Sequence, residues 1–502
     1  MRKAFFLSSI ALLVLSTPAL ATWREASTEK FIVYSDGSEK DLVEFTERVD
    51  KFDQVLRVIT GFKGEPSPVK VRIYLVDKEQ TVRELYPWHI PNIAGFYHAS
   101  ISGGIGVAER TRAFREGQLD GETVLCHEYV HHFMAQYFPY VYPHWYQEGV
   151  AELFANTEFL KNGHIRVGAS AKYRMWDLFN SAWIGTGRLM QDTGGSSGAG
   201  PKLEAFYAQS WLLAHWFFES PERAALLQQY LQMRSQGVDH AAALQKAFGL
   251  SDSQLDQQFR AYFDKRKIGV IEFTSLKLLP PPVSVRVLPP SADAVLLADL
   301  RMDVGVPDKE TSELLATLRS SAARFRDEDA RLALARAEMR YGDRDRALSS
   351  LNELLEKDPT NRRALLELAL LRLSGKEEDP DARLAADRNA RSLAVRANRL
   401  AHDDPQALFL FYKSFAHEEG GPSKNALDGL AAAYVNLPQY SPVAMSYVKE
   451  LLRTHDTAHA VQILRGIAYA PHGGQSAQWA QAQLKEIEDT QPHTASAAND
   501  KP

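Results

Sequence analysis

Two histidines and two glutamates in one short stretch of this sequence have the types and the spacing of a metal site. His127, Glu128 and His131 form the pattern His-Glu-x-x-His, and Glu148 follows seventeen residues later. On a helix, residues four apart lie on nearly the same face, so both histidines can direct their imidazoles at one ion. Glu128 lies at the edge of that face, where a carboxylate reaches a metal-bound water and acts as general base. The pattern therefore predicts a zinc site that activates water.

A third metal ligand must come from outside this motif, because a catalytic zinc has three protein ligands and one position open to water. Glu148 is the best candidate, since the chain between Pro139 and Pro143 can turn and bring a second helix back past the first. Glu152 lies one turn further along the same helical face. We expect its carboxylate to accept a hydrogen bond from the free ring N–H of His127. Glu152 remains the alternative third ligand.

The residues around Glu148 carry a resemblance to a known family. The segment from Trp145 to Ala151 is similar to the W-x-x-E-G-x-A signature in which the glutamate binds zinc. With the histidine motif, it makes the chain resemble the gluzincin metallopeptidases, the thermolysin-like and aminopeptidase-like zinc proteases. The gap from His131 to Glu148 is slightly shorter than in the best-known families, which keeps Glu152 open as a ligand. The resemblance implies one Zn²⁺ per chain and Glu128 as the general base.

The resemblance also implies a side chain that holds the developing oxyanion, which gluzincins place downstream of the third ligand. Tyr207 and His215 are the candidates, with Tyr207 preferred. Both lie on an aromatic helix that the sequence predicts from Leu203 to Glu219. The alternative for both side chains is packing in an aromatic core.

Glycine-rich residues 94–107, just before the histidine motif, are expected to form strands. In the families that the chain resembles, an edge strand at this place aligns the substrate backbone by added β pairing. A hairpin without a substrate role is the alternative. The exopeptidase signature G-x-M-E-N does not precede the motif, which favours an endopeptidase acting on peptide or protein substrates.

Local signals predict the elements that position these residues. Asp120 is the expected N-cap of the helix that carries the histidine motif, which should run to about Tyr137. Upstream, apolar alternation in residues 29–35 and 69–76 predicts two strands, and a helix is expected between them from about Glu39 to Thr60. A small α+β unit should therefore cover one side of the site.

The N-terminus is typical of a cleavable export signal. Two basic residues precede an apolar run from Ala4 to Leu15, and an A-x-A site ends at Ala21. We expect cleavage after Ala21 and a periplasmic or secreted protein. Cys126 is the only cysteine, which excludes an intrachain disulfide. Its expected role is packing.

Length and composition limit the remaining possibilities. A chain of 502 residues suits more than one domain. Its charged content of 24% and net charge of −5, without a dominant basic run, argue against a nucleic-acid partner. After the signal, the chain lacks an apolar segment long enough to span a bilayer, so stable membrane insertion is not expected.

The C-terminal half is rich in Ala and Leu and has the pattern of paired helices. Residues 332–357 predict two helices around a Gly342-Asp343 turn and resemble one tetratricopeptide unit. The second helix of this unit ends before Asp358-Pro359. Asp404-Pro405 and Ser441-Pro442 repeat this pairing of a polar residue with proline, at irregular spacing. Stacked helix pairs usually bind a peptide or a protein. A structural brace without a partner is the alternative.

The predicted fold is an α+β zincin-like metallopeptidase domain followed by an all-α tetratricopeptide-like helical repeat domain. The boundaries divide the chain into a signal peptide at 1–21, the metallopeptidase domain at 22–275, a Pro-rich linker or bridging strand at 276–306, the repeats at 307–487 and a disordered tail at 488–502. The favoured function is exported zinc-dependent peptide hydrolysis. The alternative is a non-catalytic scaffold or adaptor of the cell envelope with a vestigial zinc domain.

Overall fold

The computed structural model describes residues 22–88, 93–110, 120–169, 172–191, 203–265, 268–375, 377–470 and 474–490. Within these ranges an N-terminal α/β region is followed by an all-helical region. This order of a mixed region and a helical region is the one that the sequence predicted. The expected export signal, the Gly-rich loop at 192–200 and residues 491–502 of the expected tail lie outside the described residues. None of the described helices is both long enough and apolar enough to cross a membrane.

The α/β region contains two sheets and the helices that cover them. Its elements in chain order are β1 (Arg24–Ser27), β2 (Phe31–Ser35), α1 (Glu39–Thr60), β3 (Val71–Val76), α2 (Glu79–Leu85), β4 (Gly95–Ser100), β5 (Gly103–Glu109), α3 (Gly121–Tyr137), α4 (His144–Ala155), β6 (Glu158–Phe159), β7 (Ile165–Val167), α5 (Lys172–Asn180), α6 (Thr186–Gln191), α7 (Leu203–Phe218), α8 (Pro221–Ser235), α9 (His240–Phe248), α10 (Asp252–Asp264), β8 (Ile271–Phe273) and β9 (Ser284–Val287).

The larger sheet has the strand order β4-β5-β3-β2-β1-β9. Strand β3 runs parallel to β2 and β5, whereas the remaining neighbours pair antiparallel. Alternation in β2 buries Phe31 and Val33 in the main core, which also holds apolar residues of α1, α3, α4 and α7. Tyr34 points to the other face, where it stacks on Tyr74. Strand β4 lies at the edge of the sheet, beside α3.

Helix α1 shows why the local predictions succeeded here. Its N-cap Ser38 accepts a hydrogen bond from the backbone N–H of Asp41, and Gly61 ends it with φ of 69°. Glycine adopts this left-handed conformation without the steric penalty that a Cβ imposes. The predicted bounds of Glu39 and Thr60 are confirmed.

The helical region continues from α11 as a series of helices, each packed on the next. Its elements are α11 (Ala292–Val304), a 3-10 turn (Asp308–Glu310), α12 (Thr311–Phe325), α13 (Glu328–Tyr341), α14 (Arg344–Lys357), α15 (Arg362–Leu373), α16 (Pro380–Leu400), α17 (Pro405–Lys413), α18 (Lys424–Asn436), α19 (Ser441–Arg453), α20 (Thr457–Ala468) and α21 (Gly474–Thr490).

The Pro-rich segment at 276–306 carries regular structure. Strand β9 pairs with β1, so the bridging-strand interpretation describes residues 284–287. Leu300 and Val304 of α11 share a core with Tyr74 on the outer face of the sheet. Helix α21 extends to Thr490, three residues into the segment expected to be disordered. The other boundaries stay predictions.

The two regions face each other across the outer side of the sheet. Arg72 of β3 contacts Asp303 of α11 at 3.0 Å, and Asp303 also pairs with Arg336 of α13. A cavity of about 570 Å³ lies between the sheet and helices α13, α15 and the start of α17. The helical region therefore curves back over the sheet that precedes it.

Candidate metal centre

Helix α3 presents the histidine motif. Its N-cap Asp120 accepts a hydrogen bond from the backbone N–H of Thr123 at 2.8 Å, and the helix ends at Tyr137, as predicted. Tyr129, between the two motif histidines, donates its hydroxyl to the buried Asp53 of α1 at 2.7 Å. This buried bond fixes the rotation of α3, so that His127 and His131 face α4 rather than the sheet.

Helix α4 carries Glu148 and is held close to α7. A Cβ added at Gly149 would collide with the carbonyl oxygen of Ser210 on α7. Glycine therefore lets the two helix backbones approach at this point. The neighbouring Glu148 is completely buried and faces α3.

Three side-chain atoms from these helices converge. Nε2 of His127 and Nε2 of His131 lie 3.1 Å apart. Oε2 of Glu148 lies 3.3 Å from the first nitrogen and 3.5 Å from the second. Among the described residues, these are the three whose ligand atoms group closely enough to hold a metal ion.

Zinc fits this arrangement. Ligand atoms about 2.0–2.2 Å from a tetrahedral zinc lie about 3.3–3.6 Å from one another, which is close to the three observed separations. Neither oxygen of Glu148 has a hydrogen-bond partner, although both are buried. An ionised carboxylate buried without donors is strongly unfavourable unless a cation neutralises it. The donor set of two imidazoles and one carboxylate is that of a catalytic zinc site.

The charges of the cluster shift the pKa values of His127 and Glu148 in opposite directions. Burial opposes protonation of His127, but its closeness to Glu148 and the charges of Glu152 and Glu128 outweigh burial and raise its pKa to about 9. Burial likewise opposes ionisation of Glu148, yet the neighbouring His131 and the other histidines hold its pKa well below the usual range. The contacts to Glu148 lack hydrogen-bond geometry, so the attraction is electrostatic. The pocket is thus built around a carboxylate anion.

Glu152 faces the other nitrogen of the first histidine. Its Oε1 lies 3.5 Å from Nδ1 of His127, whereas Glu148 faces Nε2. The same oxygen of Glu152 pairs with the guanidinium of Arg174 on α5. The structure therefore places Glu148 where a third ligand is needed, and Glu152 where it can orient the ring of His127.

Tyr207 of α7 borders the cluster. Its ring centroid lies 6.4 Å from that of His127, and the guanidinium of Arg174 stands 4.9 Å over the ring. Burial, aided by the charges of Glu148 and Glu128, raises the pKa of Tyr207, so its hydroxyl stays protonated and can donate a hydrogen bond. Glu128 is half-buried, and its charge also adds to the effect of burial in raising the pKa of Tyr97.

His215 lies away from the cluster. Its Nε2 contacts the carbonyl oxygen of Gly269 at 2.9 Å, and its Nδ1 contacts the hydroxyl of Tyr262 at 2.9 Å. The ring is completely buried. The core-packing alternative therefore describes His215, which is not brought to the metal residues.

His144 belongs to the site, although the sequence interpretation passed over it. Its Nε2 lies 3.5 Å from Oε1 of Glu148, and its ring stacks on Phe206 at 4.6 Å. His144 and Glu148 are one helical turn apart on α4, and this spacing could have been recognised in the sequence. Arg174 was also missed, and its position 22 residues after Glu152 offers no local pattern.

The helical region touches both helices of the metal site. Nε2 of Gln439, in the turn between α18 and α19, donates to the carbonyl oxygen of His132 at 3.0 Å. Gln136 of α3 donates to the carbonyl oxygen of Val435 at 2.9 Å. On α4, the side chain of Gln147 reaches the carbonyl oxygen of Tyr469 at 3.2 Å. The candidate metal site thus lies in the α/β region, and the helical region contacts the two helices that carry it.

Comparison with known proteins bears on the helical region. Residues 328–371 match the family model described as the tetratricopeptide repeat. The match spans α13, α14 and most of α15, and it confirms the repeat unit predicted around Gly342-Asp343. Among curated proteins, no significant match to the chain is found. Helical repeats of the tetratricopeptide type, a protein-binding architecture, are therefore present in this chain.

Proposed function

We propose that this protein is an exported zinc-dependent peptidase. Its candidate zinc ligands are His127, His131 and Glu148. The observation that carries the proposal is the buried Glu148 carboxylate, which faces two imidazole nitrogens and has no hydrogen-bond donor. The resemblance of the two motifs to gluzincins supports peptide bonds as the substrate and a zincin-like domain as the scaffold. The N-terminal signal pattern supports export to the periplasm or the exterior.

The bound zinc ion would supply Lewis acidity, which makes a water molecule nucleophilic near neutral pH and polarises a carbonyl. The carboxylate of Glu128 accepts the proton of the attacking water and passes it to the nitrogen of the leaving amine. The Tyr207 hydroxyl donates to the oxygen of the scissile carbonyl as negative charge develops there. Glu152 holds the ring of His127 in the orientation that leaves Nε2 free to bind metal.

Replacement of the general base separates catalysis from metal binding. In Glu128→Gln we expect hydrolysis of an unfolded, fluorescently labelled protein substrate to fall by roughly 10²–10⁴-fold, because the amide cannot accept the proton. Zinc content, measured by elemental analysis, should remain that of the wild type. The matched control is Glu122→Gln on the first turn of α3, which pairs with Arg48 at 2.8 Å instead of bordering the metal cluster. Undiminished hydrolysis by Glu128→Gln would contradict the proposal.

We further propose that the helical region binds a protein or peptide partner. The tetratricopeptide match supports this role, since stacked helix pairs commonly present a surface for polypeptide. The alternative, a non-catalytic scaffold with a vestigial zinc domain, makes a different prediction. A scaffold would keep its full biological effect in Glu128→Gln, whereas a peptidase would lose it.

A further inference from the structure

Gln439 of the helical region joins two elements of the candidate active site. Its Oε1 accepts a hydrogen bond from the Tyr97 hydroxyl at 2.8 Å, and its Nε2 donates to the carbonyl oxygen of His132 at 3.0 Å. Nε2 of Gln439 and the Tyr97 hydroxyl each lie 2.8 Å from Nδ1 of His132. One amide group therefore contacts both β4, which contains Tyr97, and α3, directly after the ligand His131.

Strand β4 and helix α3 meet at a close contact. A Cβ added at Gly104 of β5 would collide with the Tyr97 hydroxyl, so Tyr97 is confined between its neighbour strand and α3. A Cβ on Gly95 would lie 3.0 Å from the carbonyl oxygen of Val107 and 3.3 Å from Val124 of α3. The backbone of β4 thus runs directly beside α3, which we call the metal helix because it carries His127 and His131. Small shifts of the strand would change its distance from the metal ligands.

Among the described strands, β4 is also one of the two edge strands of the six-stranded sheet, the other being β9. Backbone N–H and C=O groups at a sheet edge can pair with an added extended chain. An extended peptide paired there would lie alongside α3, which packs against β4. The register of such a substrate depends on how firmly β4 is held against that helix.

We infer that Gln439 is a positioning residue for the peptidase site, through which the helical region fixes the substrate-pairing strand β4 against the metal helix. This inference rests on the proposed function for its substrate and deepens it. The catalytic unit then includes the turn between α18 and α19 as well as the α/β region. The class of substrate that this arrangement fits is an unfolded or extended polypeptide segment, because pairing along β4 requires an extended backbone.

The test compares Gln439→Ala with Gln136→Ala in the full-length zinc-loaded protein. Both substitutions remove a glutamine that bonds across the same interface, but Gln136 reaches only the carbonyl oxygen of Val435. In Gln439→Ala we expect faster hydrogen–deuterium exchange of the amides of residues 95–100. We also expect KM for an unfolded protein substrate to rise about tenfold, from the loss of two hydrogen bonds, with kcat and zinc content little changed. Gln136→Ala should match the wild type in all four measurements.

A second variant guards against a general folding defect. Tyr97→Phe removes the hydroxyl that Gln439 accepts from, while it keeps the ring. It should reproduce the effects of Gln439→Ala, and the double variant should be little worse than either single one, because Gln439, Tyr97 and His132 form one connected network of contacts. Equal exchange at residues 95–100 in Gln439→Ala and Gln136→Ala would overturn the inference. The exchange result holds without catalysis, whereas a wild-type protein that hydrolyses nothing would refute the proposed function instead.

Discussion

At the scale of single residues, the site depends on the contrast between Glu148 and Glu152. Both are buried glutamates on one face of α4, and the sequence left either as the third ligand. The structure separates them by partner, since Glu152 already pairs with Arg174 while Glu148 lacks any hydrogen-bond donor. A carboxylate that is already paired with an arginine is a poorer metal ligand than one that has only the two candidate ligand imidazoles beside it.

Metal content tests this distinction. We expect the wild-type protein to bind about one zinc per chain and the variants His131→Ala and Glu148→Ala to bind none tightly, because each removes one of three ligands. The variant Glu152→Gln should still bind zinc, but with an affinity about 10–100-fold lower, since the Glu152 carboxylate orients His127 without binding the metal. Elemental analysis and competition with a chromophoric chelator measure both. Full zinc retention in Glu148→Ala would rule it out as a ligand.

At the scale of elements, the local predictions succeeded where end signals and apolar periodicity coincide. The bounds of α1 and the N-cap of α3 are as expected, because Ser38, Gly61 and Asp120 satisfy backbone groups within their own turn. The repeat unit around Gly342 was equally readable. Strand β1 was missed, since its four residues gain stability by pairing both with β2 and with β9, and β9 is far away in the sequence. The sequence suggested the two motifs of the site, but their convergence depends on tertiary contacts.

The close approach of α4 and α7 explains the glycine that follows Glu148. In Gly149→Ala we expect a loss of about 1–3 kcal/mol in the free energy of unfolding, because the new methyl group overpacks against α7. Zinc affinity should fall as well, since α4 must move to relieve the collision. Denaturant unfolding of the metal-free protein and zinc competition give the two values. Gly185→Ala is the control, because its Cβ would have open space, and equal behaviour of both variants would disprove the packing explanation.

At the scale of the whole molecule, buried charges tie the helical region to the sheet. The carboxylate of Asp303 lies between Arg72 and Arg336, and its side chain is only 8% exposed. Burial opposes its ionisation, but the charges of Arg336 and Arg72 outweigh burial and hold the pKa of Asp303 well below its usual value. The folded protein therefore stabilises the ionised form of the Asp303 carboxyl.

Loss of this carboxylate should be most harmful near neutral pH. In Asp303→Ala we expect the free energy of unfolding at pH 7 to fall by about 3–5 kcal/mol, because two arginines lose a buried partner. A lowered folded-state pKa stabilises the protein above the unfolded value of about 4 and loses that effect as pH falls further. The difference between variant and wild type should therefore shrink below about pH 4. Denaturant titrations across pH measure it, with the exposed Glu313→Ala as control. A constant difference across pH would contradict this account.

The contact between Gln439 and His132 joins positions 307 residues apart. A ribosome or an export channel delivers His132 long before Gln439, so strand β4 is held against α3 only after residue 439 has arrived. For a peptidase, this order delays full affinity for substrate until the turn that contains Gln439 has been synthesised. A prematurely terminated copy, lacking the turn at 437–440, would never form this contact and would act less efficiently on the proteins around it.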